Sequence, residues 1–407
     1  MHIHTQLFLG HQEQQEFSAH EVRQKILNAK KFANIQRLMI WTDDRPETYQ
    51  PLVALCREHE IQPYLWFPVL ADIPGYPSQE QMMVLNHEQQ RGYGHLGRWE
   101  KLGAGEEQFL FLCPNTRPAL ADVFEIYKTL VGQVDFDGVF LDRVRYPSCA
   151  NGFESLFTCF CDACQQRFAE LYDEPLDEYI PGIRVLLDRL QQFNDHDLEQ
   201  CMQLDDLWGC GDLDQFFVFR AHNITCAVKI FTEYAGLQGK QIGLDLFTPS
   251  LSPFVSQDYR LLSACCDWIK PMSYCHAIGP AGVPLEIACL LRALHSLCPK
   301  VSDSQRIAFC ARILNVPLPE TEELILQRGI PETFVAHELE KIRSFALPEK
   351  IEIYPGVEMV KHPHFDLNID QQILEKYLAA IAGKVDGFVA SWNLLYIPDE
   401  HWKLMEQ

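Results

Sequence analysis

The chain has 407 residues, of which 47% are hydrophobic and 22% charged, ample apolar material for a large core. Against 56 aspartates and glutamates stand 34 lysines and arginines, a formal net charge of −22. That acidity opposes nucleic-acid phosphates and anionic membrane surfaces as partners.

The opening Met-His-Ile-His-Thr-Gln-Leu-Phe-Leu-Gly has no basic flank and no long apolar core, so no secretory signal is expected. No later stretch approaches the ~18 uninterrupted apolar residues of a membrane span. Fifteen cysteines without a leader read as reduced thiols or metal ligands, and the expected location is cytoplasmic.

Residues 3–9 form the first of eight short, β-rich apolar runs; the others are 37–42, 62–67, 137–142, 241–247, 267–273, 351–357 and 386–392. Between them, 20–33, 48–59, 118–131, 213–235 and 370–382 carry apolar residues at helical spacing. The alternation predicts an α/β fold, a (β/α)8 TIM barrel formed by residues 1–407 as one domain. Long segments follow strand 3 (68–117), strand 4 (143–212) and strand 6 (274–350). In such a barrel they lie at the carboxyl ends of the strands, where they would shape a substrate cleft; decoration or a homo-oligomer contact is the alternative.

Asp142 closes the apolar run Gly138-Val139-Phe140-Leu141 and is followed by Arg143-Val144-Arg145. A charge at that strand end faces the catalytic side, with Arg145 a candidate for substrate contact; a salt bridge tying down the loop is the structural alternative. Glu358 stands just past strand 7 in apolar surroundings that would raise its pKa, as a general acid requires, although it also reads as a loop anchor. Asp245 interrupts strand 5 in Gly243-Leu244-Asp245-Leu246 and must find partners in the lumen or the site, so it is the other candidate for a second carboxylate. Glycoside cleavage needs a pair of this kind, one to protonate the leaving oxygen and one to act as nucleophile or base. Trp41, Trp66, Tyr274 and Trp392 fall at the ends of strands 2, 3, 6 and 8, with Asn393 beside the last. Such rings stack on sugar C–H faces, and they also serve as ordinary core.

Beyond strand 4, Cys149, Cys159, Cys161 and Cys164 fall within sixteen residues, including Cys-x-Cys-x2-Cys, a spacing able to wrap a tetrahedral ion. Four thiolates leave no open position, so such an ion would be structural. The fourth ligand is open between Cys149 and Cys113.

Asp-Gly-Val-Phe-Leu-Asp-Arg-Val-Arg-Tyr-Pro (137–147), Cys-Phe-Cys-Asp-Ala-Cys (159–164) and Trp-Ile-Lys-Pro-Met-Ser-Tyr (268–274) together resemble glycoside-hydrolase-like barrel proteins. The cysteine loop is also similar to the zinc loop of family 42 β-galactosidases. The resemblance implies a glycosidase of carbohydrate metabolism with carboxylates on strands 4 and 7 and a structural zinc. Where those β-galactosidases carry Asn-Glu at the end of strand 4, this chain has Leu141-Asp142. That implies a nucleophile or base at Asp142 and no transfer of substrate specificity. Two other readings are a non-catalytic carbohydrate-binding barrel and a metal-dependent amidohydrolase. The latter is suggested by His2-Ile3-His4 and by His362 and His364, yet His2 and His4 begin strand 1 and strands 5 and 6 contain no histidine.

Overall fold

A computed structural model describes residues 1–77, 79–91, 107–203, 213–345, 347–363 and 367–405. The apolar runs become parallel strands: β1 (His2–Phe8), β2 (Arg37–Trp41), β3 (Gln62–Pro68), β4 (Gly138–Asp142), β5 (Gln241–Phe247), β6 (Trp268–Met272), β7 (Glu352–Ile353) and β8 (Gly356–Glu358). After a small antiparallel pair, β9 (Lys361–His362) and β10 (Leu367–Asn368), comes β11 (Gly387–Ser391). The main sheet is nine-stranded and curled, in the order β7-β6-β5-β4-β3-β2-β1-β11-β8. Seven predicted strands stand within one residue of their expected bounds.

The seventh differs. The run expected at 351–357 is split, because Pro355 has no N–H to donate and the chain changes partner there. Tyr354 N–H still reaches Ile269 O on β6 (3.0 Å), whereas Pro355 O accepts from Val389 N–H on β11 (3.0 Å). The two edges of the sheet therefore come from one stretch of chain.

Helices Ala19–Ala33, Pro46–Glu58, Arg117–Gln133, Asp214–Leu237 and Gln371–Ile381 lie where the periodicity places them. In the first, Ser18 and Glu21 form a reciprocal capping box, Asn34 ends the helix in the left-handed conformation, and Val22, Ile26, Ala29 and Ala33 make the buried stripe. No helix among the described residues is long and apolar enough to cross a membrane.

Period-two alternation divides the apolar residues between two cores. Leu38, Ile40, Leu65, Phe67, Val139 and Leu141 join the large cluster shared with the helices. Met39, Trp41, Tyr64, Trp66, Phe140, Trp268, Tyr354 and Val389 form a separate cluster inside the curl. There the Phe140 and Trp268 rings stack, with centroids 5.0 Å apart and planes 2° from parallel. Bulk of this kind demands glycine opposite: a Cβ at Gly243 would lie 2.2 Å from the Trp268 ring, and one at Gly138 would lie 2.2 Å from Tyr64. Gly243→Ala should therefore overpack the inner layer and cost roughly 1–3 kcal/mol of stability in chemical denaturation. A variant as stable as the wild type would show that Trp268 does not fill that space.

Candidate functional site

The strand register brings the carboxylates together. Pro68 pairs with Asp142, Leu141 pairs with Leu244, and Asp245 pairs with Lys270. Asp142 and Asp245 are thus side by side on neighbouring strands, and Lys270 follows on the next. This charged row sits one level toward the carboxyl ends from the aromatic layer of Trp66, Phe140 and Trp268, and it opens into a narrow cleft of about 110 Å³. Trp41, Trp66, Arg145, Tyr274 and Trp392, all expected at the site, line that cleft with both aspartates.

The two carboxyls have different surroundings. Both oxygens of Asp142 accept hydrogen bonds: Oδ2 from Trp66 Nε1 (3.0 Å) and Oδ1 from the Arg143 N–H (2.5 Å). Burial raises its pKa, opposed by Lys270, these donors and Arg145. Asp245 receives Lys270 Nζ on Oδ2 (2.9 Å), and its buried Oδ1 has no hydrogen-bond partner among the described residues. Burial pushes its pKa up to about 7 against the pull of Lys270, and the Asp142 charge adds to the rise. Lys270, fully buried, also donates to Gln6 Oε1 (2.8 Å), which accepts from Ser391 Oγ as well (3.2 Å). Burial pulls the Lys270 pKa down, but Asp245 and Tyr274 more than offset that and hold it charged. Tyr274 is pushed up to about 12, chiefly by burial.

Three long segments wall the cleft: those after β3 and β4, and the one after β6 through Tyr274, Ala277 and Pro280. Arg143 takes a left-handed backbone (φ 54°), and its guanidinium pairs with Asp72 and Glu107 from the segment after β3. The Arg145 guanidinium stands 4.5 Å from the Phe111 ring centroid and 4.6 Å from that of Phe247, and burial lowers its pKa to about 10.

Three expected residues lie elsewhere. Glu358 does not line the cleft; its buried Oε2 accepts from the N–H groups of Cys275 (2.8 Å) and His276 (2.9 Å) and from the Tyr377 hydroxyl. It holds the chain leaving β6, the loop-anchor role. Asn393 is buried with its amide spent on Phe8 O (3.0 Å) and on the N–H groups of Phe8 and Leu395. Cys149 stands apart from the other three cysteines, near Glu286, Cys289 and Cys310.

Cys113 completes the cysteine group instead. The sulfurs of Cys113, Cys159, Cys161 and Cys164 are buried and all within 4.8 Å of one another, an arrangement able to hold a metal ion. Amide donors point at them: Leu85 N–H at Cys159 (3.3 Å), and Asn115 N–H and Nδ2 at Cys113 (3.4 Å) and Cys164 (3.2 Å). Such donors suit thiolate ligands. The group also joins two of the segments that wall the cleft, since Cys113 follows β3 and the other three follow β4.

Lys270 and Gln6 escaped the sequence reading. Lys270 carries the same signal as Asp245, a charge inside an apolar strand with the inward parity of Trp268 and Met272. Among the described residues no histidine joins a group able to hold a metal ion. His4 is buried at the amino end of β1, edge-on to Tyr354 at 4.5 Å, and His364 lies outside the described residues.

No protein-family model and no curated protein matches the chain. Among solved structures, the glycoside hydrolase domain of PgaB (BpsB) from Bordetella bronchiseptica is similar over 100% of this chain and 99% of that one, with a TM-score of 0.51 at 12% identity. The spore cortex-lytic enzyme SleL of Bacillus megaterium QM B1551 aligns at a TM-score of 0.45 and 10% identity, covering 100% of this chain and 74% of that chain. Aspergillus fumigatus Ega3 in complex with galactosamine aligns at 0.38 and 9%, covering 98% and 92%. At 12% identity the likeness to the PgaB domain is one of fold alone.

Glu358→Ala should strand the His276 N–H and the Tyr377 hydroxyl, while the Cys275 N–H keeps its second acceptor in Tyr377 Oη (2.8 Å), lowering stability by about 1–3 kcal/mol in thermal unfolding. An unchanged midpoint would remove the anchoring role.

Proposed function

We propose that the protein is a glycosidase in which Asp245 is the general acid and Asp142 the nucleophile. The observation that carries this reading is the pair of side-by-side carboxyls at the carboxyl ends of β4 and β5, ringed by Trp41, Trp66 and Trp392. Donors on both oxygens favour the ionised form of Asp142, whereas Asp245 keeps one oxygen free and titrates near neutrality, so a shared proton resides on Asp245. Asp245 would protonate the leaving glycosidic oxygen while Asp142 attacks the anomeric carbon; water then releases the sugar with Asp245 as base. Neighbouring parallel strands lie ~4.8 Å apart, which suits the ~5 Å carboxyl separation of retaining enzymes better than the ~6.5–9.5 Å of inverting ones. Lys270 stays charged and acts through its field, not as an amine nucleophile. The substrate is a carbohydrate whose ring stacks on the tryptophans.

The architecture belongs to the same reading. Taking 352–358 as a single strand that pairs with β6 at one end and β11 at the other makes an eight-stranded (β/α)8 barrel, with the long segments after β3, β4 and β6 on its active face. The likeness to the PgaB glycoside hydrolase domain supports this.

On a panel of 4-nitrophenyl glycosides, Asp142→Asn and Asp245→Asn should each lower kcat/KM by roughly 10²–10⁴, and Asp245→Asn, which removes the countercharge of buried Lys270, should lower thermal stability as well. The acid must be protonated, so wild-type kcat/KM should fall as pH rises through about 7. Full activity in both variants would sink the assignment, and a wild type inert toward every glycoside would favour a carbohydrate-binding barrel.

The four-cysteine group we read as a structural zinc site held by Cys113, Cys159, Cys161 and Cys164, as in the loop of the family 42 β-galactosidases. When bound, zinc supplies a tetrahedral cross-link and no chemistry. Elemental analysis should find about one zinc per chain. Metal-free protein with every cysteine open to thiol reagents would refute the site.

A further inference from the structure

Arg220 lies in the helix Asp214–Leu237 and is fully buried. Among the described residues its Nε, Nη1 and Nη2 atoms have no hydrogen-bond partner, and no carboxylate pairs with it. An arginine side chain stays protonated in proteins, and an isolated buried charge is strongly unfavourable. Aromatic faces surround it: the guanidinium carbon is 4.7 Å from the Tyr146 ring centroid, 5.8 Å from that of Phe216 and 5.7 Å from that of Phe217. Rings of this kind attract a cation weakly and accept no strong hydrogen bond. Phe216 in turn stacks on Phe160, the residue between Cys159 and Cys161, with ring centroids 5.3 Å apart, and the groups that act on the Arg220 charge are Tyr146, Cys159 and Cys164. Two of these belong to the four-cysteine group.

We infer that Arg220 is the built-in countercharge of the metal centre, offsetting part of the negative charge of the metal–thiolate unit and so setting how tightly the ion is held. The inference rests on the four-cysteine reading above. Four thiolates and one divalent cation carry a net charge of −2, confined in a buried pocket where a nearby positive charge acts at low dielectric. Amide donors from Leu85 and Asn115 already occupy three of the sulfurs. What they leave uncompensated is net charge, which a guanidinium beside the cluster supplies without coordinating. The dependence is mutual: the ion-loaded cluster is the anion that makes burial of Arg220 tolerable. A purely packing arginine would behave otherwise, because an apolar side chain of similar volume in its place is neutral or stabilising.

Arg220→Met and Arg220→Lys in the full-length chain separate these cases. Each protein would be loaded with Zn2+ and challenged with a chromophoric pyridylazo chelator, following zinc release and the zinc-to-protein ratio. Circular dichroism would establish that both variants are folded. Arg220→Lys should retain zinc nearly as the wild type does, while Arg220→Met should hold it ~10–100-fold more weakly. Equal retention in Arg220→Met and wild type would overturn the countercharge role. If Arg220→Met does not accumulate, Arg220→Gln, neutral and polar, replaces it with the same expected loss and the same overturning result. A wild type that binds no Zn2+ would sink the metal reading itself, a result distinct from equal retention by all variants.

Discussion

One buried ammonium makes the carboxyl end of the sheet possible. Two carboxyls on neighbouring strands repel each other, and removal from water penalises the charge of each. Lys270 stands in the same row, bonded to Asp245 and Gln6, and its field reaches Asp142. The pair can then exist with one proton near neutrality. The layer beneath shields the row from the interior: stacked Phe140 and Trp268 leave little space below the charges. Glycines at 138 and 243 are the local condition for that stacking.

A second dependence runs through the loops. The long segments after β3 and β4 have few regular elements next to the cleft, so something else must fix them. Polar ties do this at three places: Arg143 to Asp72 and Glu107, the sulfurs of Cys113 and Cys164 in contact at 3.4 Å, and Glu286 to Ser148 and the Ala150 N–H. Each tie joins residues far apart in sequence, so the cleft wall is a product of tertiary pairing, and loop propensity contributes little to it.

Most of the sheet was legible because buried parallel strands are dense in β-branched and aromatic residues and alternate with amphipathic helices. The split at Tyr354-Pro355 is a matter of one missing donor, and the run of apolar residues conceals it. In the cleft, Asp142, Asp245 and the aromatic rim follow from a simple rule: a polar or bulky residue of inward parity near a strand's end faces the inside of the curl. The same rule applied to β6 would have found Lys270. Glu358 lies outside the cleft, which its sequence context does not reveal: apolar neighbours indicate burial equally for a catalytic acid and for a loop anchor, whereas in the fold three donors converge on it. The choice of Cys113 over Cys149 depends on the path of the chain between β3 and its following helix, which spacing does not encode.

The split run has one more consequence, for encounters between molecules. A sheet's vulnerable part is its unpaired edge, where a foreign strand can add its own hydrogen bonds. Here the terminal strands are only two and three residues long, and they face each other's neighbourhood across Tyr354-Pro355. A nine-stranded parallel sheet rich in valine, leucine and aromatics thus offers an incoming strand almost no ladder to extend. The proline that interrupts the pattern also protects the chain from templated association.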